Sequence, residues 1–74
     1  MEIDRSIETL SALAHPGRLA VFRLLARRAP DAVRAGEIAG ALELKPNTLS
    51  NYVSVLSRAG LITAHRFGTS ISYR

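Results

Sequence analysis

The sequence contains no cysteine and no tryptophan, and only two tyrosines and two phenylalanines among its 74 residues. The lack of cysteine excludes disulfides, thiolate metal sites and cysteine nucleophiles. Because aromatic residues are few, the core has to consist of aliphatic side chains. A chain of this length forms one domain, which we place at residues 1–74, and it buries a small share of its surface. Association with a second copy is the remaining way to add stability.

Long hydrophobic runs are also missing, and no segment approaches the roughly 20 apolar residues that a membrane-spanning helix needs. Residues 1–4 lack the basic and then apolar pattern of a secretory signal. We therefore expect a cytoplasmic protein that does not contact membranes. Hydrophobic residues make up 47% of the sequence, a share that argues against disorder.

Acidic residues are absent from residues 44–74, although this segment contains four basic residues. Residues 1–43 contain six basic and six acidic residues, so the whole net charge of +4 lies in the second segment. A segment without carboxylates suits a polyanionic partner, because a carboxylate beside a phosphate would repel it. The alternative is chance, since six acidic residues can miss a segment of this length in a short chain.

Apolar residues recur at helical spacing in four segments, which we predict to be helices. The predicted helices are residues 3–13, a second helix that starts at Pro16 and stops at Ala29-Pro30-Asp31, residues 35–42 and residues 45–59. Pro16 and Pro46 suit the first helical position, where the missing N–H costs nothing. The side chains of the second helix that we expect to face the core are Leu19, Phe22, Leu25 and Ala26. A short loop then runs to Arg34.

Two segments near the end of the chain alternate in hydrophobicity as strands do. Residues 61–67 and residues 71–74 flank a Gly68-Thr69-Ser70 turn, which predicts a β-hairpin. Residues 43–45 form a tight connection between the third and fourth helices. The order of elements predicts a mainly α fold with a small β-hairpin. It is a winged helix-turn-helix, with a three-helix core, an N-terminal helix and a two-stranded wing.

The fourth predicted helix has the properties of a helix that reads DNA in the major groove. Leu49, Val53 and Leu56 form an apolar stripe, and the opposite face is polar and lacks carboxylates. Asparagine can pair with adenine, and serine or threonine can bond to bases or phosphates. The predicted DNA contacts are Lys45, Pro46, Asn47, Thr48, Ser50 and Asn51. The alternative is that these polar residues only cap the helix and keep its surface solvated.

All the charged side chains of the predicted wing are positive. Arg66 and Arg74 bracket the hairpin, and Thr69 and Ser70 lie at its tip. We predict that these four residues contact phosphates or the minor groove beside the recognition helix. The alternative is a solvated hairpin with ordinary surface arginines.

Several short segments together carry a family resemblance. They are residues 12–19, 36–39, 48–50, 56–62 and the wing, residues 66–73. From Leu10 onward the sequence resembles the ArsR family of bacterial winged helix-turn-helix repressors. The resemblance implies a homodimer that binds double-stranded DNA at a palindromic operator and is released by an inducer.

The sequence departs from that family in two respects. Many members sense metals or arsenic through cysteines on the third helix, and the corresponding residues 34–37 contain no thiol. This sensor is therefore expected to be absent. Members also usually continue into a last helix that pairs across the dimer, and this sequence ends at Arg74, where that helix would begin. The inducer is not indicated by the sequence.

The first predicted helix suggests how a dimer would form. We expect Leu10 and Leu13 to serve the core, whereas Ile3 and Ile7 at the free end have less to pack against. We assign Ile3, Ile7 and Leu10 to a two-fold dimer contact. The alternative is that Ile3 and Ile7 fold back onto the core of their own domain, since single exposed apolar residues are common.

Other functions find little support in the sequence. His15 and His65 are the only histidines, and neither is accompanied by the three ligands that a metal site needs. We predict no metal site and no cofactor, with His15 at a helix junction and His65 in a strand. No recognisable catalytic set is present, so we predict that the chain is not an enzyme. The remaining alternative is a winged helix that binds proteins instead of DNA, and the acid-free second segment argues against it.

Overall fold

The computed structural model describes the backbone of residues 2–74 and the side chains from Ser6 onward. Within that range, four helices and three short strands follow one another. They are α1 (Glu2–Leu13), α2 (Pro16–Arg28), β1 (Val33–Arg34), α3 (Ala35–Leu42), α4 (Pro46–Arg58), β2 (Ala64–Phe67) and β3 (Ser70–Tyr73). The architecture is the predicted winged helix-turn-helix. None of the helices described in residues 2–74 combines the length and the apolar character that crossing a bilayer requires.

The sheet contains one strand more than the sequence predicts. The loop before α3 contains β1, in which Val33 pairs with Tyr73 and Arg34 pairs with Ser72. The strand order is β1-β3-β2, and both pairings are antiparallel. Two residues are too few to show the alternation of a strand, so this pairing leaves no signal in the sequence. The wing is therefore attached to the helical core through its inner strand, β3.

The first wing strand is shorter than predicted and begins at Ala64 instead of Leu61. The preceding residues complete the end of α4, where Gly60 has a φ of +76°. The Leu61 N–H donates to the Leu56 carbonyl at 3.0 Å. This bond supplies a partner to one of the last carbonyls of α4, which have none within the helix. The hairpin closes at its base through two backbone hydrogen bonds between Thr63 and Arg74, of 2.8 and 3.1 Å.

The core is aliphatic apart from one tyrosine. Among the described side chains, the buried hydrophobic residues are Ala12, Val21, Leu25, Val33, Ile38, Leu49, Val53, Leu56, Ile62 and Tyr73. The predicted stripe of α4 is confirmed, because Leu49, Val53 and Leu56 are all buried. The predicted stripe of α2 is partly wrong. Val21 is fully buried and Ala26 is exposed. The face of α2 that packs on the core is therefore centred on Val21 and Leu25, and Ala26 lies outside it.

The junction of α1 and α2 is held by two side chains. The Nδ1 atom of His15 accepts a hydrogen bond from the Gly17 N–H at 3.1 Å and so caps α2. The guanidinium of Arg18 donates to the carbonyls of Ala12 and Ser11, at 2.8 and 3.0 Å. These bonds satisfy backbone groups at the end of α1 and the start of α2. His15 is therefore a helix-junction residue, as predicted.

Candidate nucleic-acid interface

The turn between α3 and α4 sets the direction of α4. Glu43 ends α3 in the left-handed conformation, with a φ of 54°. The Leu44 N–H donates to the Ala39 carbonyl at 2.9 Å, and the Leu44 side chain packs against the core. Lys45 then precedes Pro46, the first residue of α4. The connection has the three residues predicted for it, and its half-buried leucine fixes the angle between the two helices.

The outer face of α4 presents its polar side chains to solvent. Lys45, Pro46, Asn47, Ser50 and Asn51 are exposed, and Thr48 is half-buried. The residue at the N-cap position is Lys45, which makes no side-chain capping bond. Within residues 6–74, the side chains of Asn47, Ser50 and Asn51 take part in no intramolecular hydrogen bond. Capping therefore does not account for the two asparagines and the serine, whose donors and acceptors remain available to a partner.

The wing is a hairpin with a two-residue turn. Phe67 pairs with Ser70, so Ser70 lies in β3 and not in the predicted three-residue turn. Gly68 has a φ of +63° at the first central position, as a type II′ hairpin turn requires. Thr69 is the second turn residue and is exposed. The predicted tip is therefore one residue tighter, because the positive φ of Gly68 lets Gly68 and Thr69 close the turn without a third residue.

The pairing of the strands assigns each wing side chain to a face of the sheet. Arg66 lies opposite Ile71, two residues along from the Ala64–Tyr73 pair. Since side chains two residues apart share a face, Arg66 lies on the same face as Ala64 and the buried Tyr73. Arg74 is exposed at the opposite end of the hairpin from the turn, where it pairs with Thr63.

A groove runs between α4 and the wing. The residues lining it are Ser50, Val53, Ser54 and Ser57 of α4 together with Ala64 and Tyr73 of the sheet. Of the predicted α4 contacts, Ser50 lines this groove together with the base of the wing. Neither Ser57 nor this groove is predictable from the sequence, because the approach of the sheet to α4 depends on the tertiary fold.

The charged side chains of residues 44–74 are all basic, although Arg58 borders a hollow with Glu8 of α1. Lys45, Arg58, Arg66 and Arg74 are all exposed, and residues 44–74 contain no carboxylate side chain. The ion pair between Arg28 and Glu37, with an N–O distance of 2.7 Å, lies on α2 and α3. It is half-exposed on both sides, where such pairs contribute little to stability. The basic side chains of α4 and the wing are thus free of acidic neighbours in their own segment.

The predicted dimer residues lie on α1. The side chains of Ile7 and Leu10 are 59% and 68% exposed, and the side chain of Ile3 lies outside the described part of the chain. The prediction that Leu10 packs in the core is wrong. The α1 residues that pack there are Ala12, which is buried, and Leu13, which is half-buried. The face of α1 with Ile7 and Leu10 is uncovered in a single copy of the chain.

The two histidines belong to the framework. His15 caps α2, and His65 is a half-buried residue of β2. No group of three or more histidine, aspartate or glutamate side chains that could hold a metal ion occurs in the described residues.

One exposed side chain of the wing does not appear among the predicted contacts. Phe67 at the end of β2 is 89% exposed. Counting outward from a two-residue turn would have placed Phe67 opposite Ser70 and away from the Ile71 face. The signal in the sequence is therefore the length of the turn, and the predicted turn is one residue too long.

This fold and its polar helix agree with the comparison of the sequence with protein families. Residues 13–65, which are most of the chain, match the family described as helix-turn-helix domain. The chain belongs to the helix-turn-helix domain family. None of the curated protein sequences matches it significantly.

Several solved structures share the fold of this helix-turn-helix domain. One is the solution structure of a homodimeric winged helix-turn-helix DNA-binding domain from Mycobacterium bovis, described as a possible ArsR-family transcriptional regulator. It has a TM-score of 0.87 and 32% identity, over 97% of this chain and 64% of that chain. The present domain thus spans less than two thirds of the length of that relative.

Two crystal structures give similar agreement. A possible transcriptional regulatory protein from Mycobacterium bovis has a TM-score of 0.89 and 31% identity, over 100% of this chain and 76% of that chain. NolR from Sinorhizobium fredii has a TM-score of 0.82 and 28% identity, over 97% of this chain and 69% of that chain. The helix-turn-helix domain therefore has the fold of winged helix-turn-helix transcription regulators.

Proposed function

We propose that this helix-turn-helix domain binds double-stranded DNA sequence-specifically, as the DNA-reading part of an ArsR-type transcriptional repressor. The observation that carries the proposal is the outer face of α4. Asn47, Ser50 and Asn51 are exposed and unbonded within residues 6–74, the apolar stripe of α4 is buried, and residues 44–74 contain no acidic side chain. A helix of this kind meets the requirements for entering the major groove.

We assign separate roles to the two parts of the surface. Asn47, Thr48, Ser50 and Asn51 would meet base edges near the N-terminal end of α4, the end that usually enters the groove. Lys45 and Pro46 at the start of α4 would lie beside the phosphate backbone, where the free N–H groups of the helix also favour an anion.

The wing would supply the second part of the contact. Arg66 and Arg74 would bind phosphates, and Thr69 and Ser70 would approach the backbone or the minor groove from the hairpin tip. The shared groove between α4 and the sheet supports this division, because it brings the base of the wing beside the recognition helix.

We further propose that the domain binds a palindromic operator as a homodimer. The exposed Ile7 and Leu10 on α1 support a two-fold contact, to which we assign Ile3 as well. The Mycobacterium bovis domain with the same fold is homodimeric. A two-fold dimer presents two recognition helices to two half-sites related by the same symmetry.

The rival function, a winged helix that binds proteins only, is distinguished by a direct experiment. A duplex is selected from a random-sequence pool with the wild-type protein, and its affinity is measured by fluorescence anisotropy over a range of salt concentrations. DNA binding predicts that the logarithm of the affinity falls linearly with the logarithm of the salt concentration, with a slope of about −0.9 per phosphate contact. Failure to enrich any duplex, or binding that ignores salt, would leave the protein-binding function as the better explanation.

A further inference from the structure

Phe67 is the most exposed of the large hydrophobic side chains that the structure describes, at 89%. It occupies the last position of β2, beside the turn, and its partner across the hairpin is the small Ser70. A single exposed apolar residue is common on protein surfaces. The meaning of Phe67 therefore depends on the side chains around it.

The neighbours of Phe67 indicate a negatively charged partner with some apolar surface. Arg66 precedes Phe67 in β2 and Thr69 follows it in the turn; both are exposed, and residues 44–74 contain no acidic side chain. A protein partner would not require the removal of every acidic residue from this segment, whereas a polyanion would. The minor groove of DNA combines both properties, because phosphates flank apolar sugar edges and stacked bases.

The position of the ring fits that groove. Ala64, at the start of β2, lines the groove with Ser54 and Ser57 of α4. A strand rises about 3.3 Å per residue, so the ring lies roughly 10 Å further out. The major groove that would hold α4 is about 12 Å wide. From a helix in the middle of that groove the edge is about 6 Å away, so a tip roughly 10 Å further out can reach past the phosphate backbone into the adjacent minor groove.

The two faces of the hairpin separate the cation from the aromatic ring. Arg66 is on the face shared with Ala64 and Tyr73, and Phe67 is on the opposite face. A hairpin that enters the groove edge-on would place the guanidinium of Arg66 toward the phosphates beside α4. The ring of Phe67 would then contact the sugars and the base step on the other side.

We propose that Phe67 is an apolar wedge which the wing inserts into the minor groove next to the recognition site. This inference rests on the proposed binding of DNA by α4 and the wing. Apolar side chains, including phenylalanine, enter the minor groove in other DNA-binding proteins and partially unstack a base step. Because guanine carries an amino group in the minor groove and adenine does not, the wedge selects A·T pairs at its position.

The test pairs a change in the protein with a change in the DNA. The proteins are wild type, Phe67→Ala, Phe67→Leu and Thr63→Ala, the last an exposed control at the base of the hairpin. The probe is the duplex selected with wild-type protein, with or without 2,6-diaminopurine in place of adenine beside the recognition site. This replacement adds an amino group to the minor groove and leaves the major-groove pattern of adenine unchanged.

The expected result is a loss of DNA affinity that depends on both the side chain at position 67 and the minor-groove amino group. On the unmodified duplex, Phe67→Ala binds about tenfold more weakly than wild type, as removal of one buried aromatic contact implies. Its salt slope is unchanged, because the ring displaces no counterion. The added amino group weakens wild type about tenfold and leaves Phe67→Ala unaffected. Phe67→Leu keeps most of the affinity, and Thr63→Ala behaves as wild type.

Three results would overturn the wedge. Equal affinity of Phe67→Ala and wild type for the unmodified duplex would show that the ring makes no DNA contact. A Phe67→Ala variant that remains sensitive to the amino group would place another side chain in the minor groove. A change of oligomeric state on sedimentation, with unchanged affinity per dimer, would make Phe67 a protein contact. In each of these cases wild type still binds DNA, whereas a wild-type protein that binds no duplex refutes the proposed function as well.

Discussion

In the proposed complex, single side chains have one of two tasks. Side chains on α4, such as Asn51, approach base edges, and basic side chains of the wing, such as Arg66, approach phosphates. The first kind of contact discriminates between sequences, and the second positions the protein on any duplex. These tasks have different signatures in binding experiments, so each side chain can be assigned by the way its removal changes affinity.

We predict that Asn51→Ala and Arg66→Ala weaken DNA binding in different ways. Loss of a bidentate contact to adenine costs about 1–3 kcal/mol on the selected duplex and relaxes the preference at one base pair. Loss of Arg66 weakens binding to all sequences and reduces the salt slope by about one per protomer. Affinities for the selected duplex and its single-base variants, measured over a range of salt concentrations, distinguish the two.

A matched control for the loss of positive charge is Arg23→Ala, since Arg23 is an exposed arginine of α2 outside the proposed surface. It should leave the salt slope nearly unchanged. If Asn51→Ala and Arg66→Ala altered only the free energy of unfolding, the assigned roles would be wrong.

At the scale of secondary-structure elements, α4 and its buried stripe are predictable from the sequence, whereas two other features are not. The period of Leu49, Val53 and Leu56 is unambiguous because the opposite face of α4 is polar. In α2, apolar residues occur on several faces, so the sequence does not distinguish the buried Val21 from the exposed Ala26. The strand β1 depends on Val33 meeting Tyr73, a contact between residues distant in the sequence.

The packing of α2 against α4 explains a glycine that the sequence leaves unexplained. A Cβ atom on Gly17 would lie 2.6 Å from the Cε2, Cζ and hydroxyl oxygen atoms of Tyr52. The Tyr52 ring also packs against His15, with 5.1 Å between ring centroids and 55° between planes. The ring thus lies over the first turn of α2, and Tyr52 adjoins Asn51 on α4.

We predict that Gly17→Ala destabilises the domain and disturbs the recognition helix. The added methyl group forces the Tyr52 ring to move, which costs about 1–3 kcal/mol in a packed contact. The control is Gly40→Ala in α3, where a Cβ meets nothing within 4 Å. That change should stabilise the domain by roughly 0.5–1 kcal/mol, because alanine is favoured over glycine inside a helix.

Chemical denaturation of the two glycine variants compares their free energies of unfolding directly. Binding of the selected duplex under native conditions then shows whether α4 has moved. Equal effects of the two substitutions on stability would mean that Tyr52 does not restrict residue 17.

At the scale of the whole molecule, the dimensions of the domain suit a dimer that spans two half-sites. The domain measures 36 × 23 × 22 Å, and successive half-sites on one side of B-DNA are about 34–36 Å apart. Each recognition helix would then lie roughly 17 Å from the two-fold axis, a distance that one domain of this size can span. The exposed face of α1 provides an apolar surface for the contact at that axis.

We predict that Ile7→Glu converts the dimer to a folded monomer. Ile7 is 59% exposed in a single copy, so the substitution should leave the helical content and the fold intact. Complete burial of an isoleucine contributes about 1.5–3 kcal/mol, of which the 59% of Ile7 that is still exposed can add about 1–2 kcal/mol, and a glutamate in its place adds the cost of burying a charge. The two-fold axis applies the change twice, so the dimer should weaken by more than about 100-fold. Sedimentation over a range of protein concentrations measures the shift, and circular dichroism verifies the fold.

The Ile7→Glu variant also tests whether binding to the palindromic duplex requires the dimer. A monomer occupies one half-site at a time, so Ile7→Glu should lose affinity for the palindromic duplex but keep its affinity for a single half-site, because α4 and the wing are untouched. Leu10→Glu, on the same face and 68% exposed, should behave alike. Ala26→Glu adds the same charge to an exposed position on α2 and should remain dimeric. A wild-type protein that is monomeric at every concentration, with Ile7→Glu binding the palindrome equally well, would refute the α1 dimer and leave the contacts proposed for α4 unaffected.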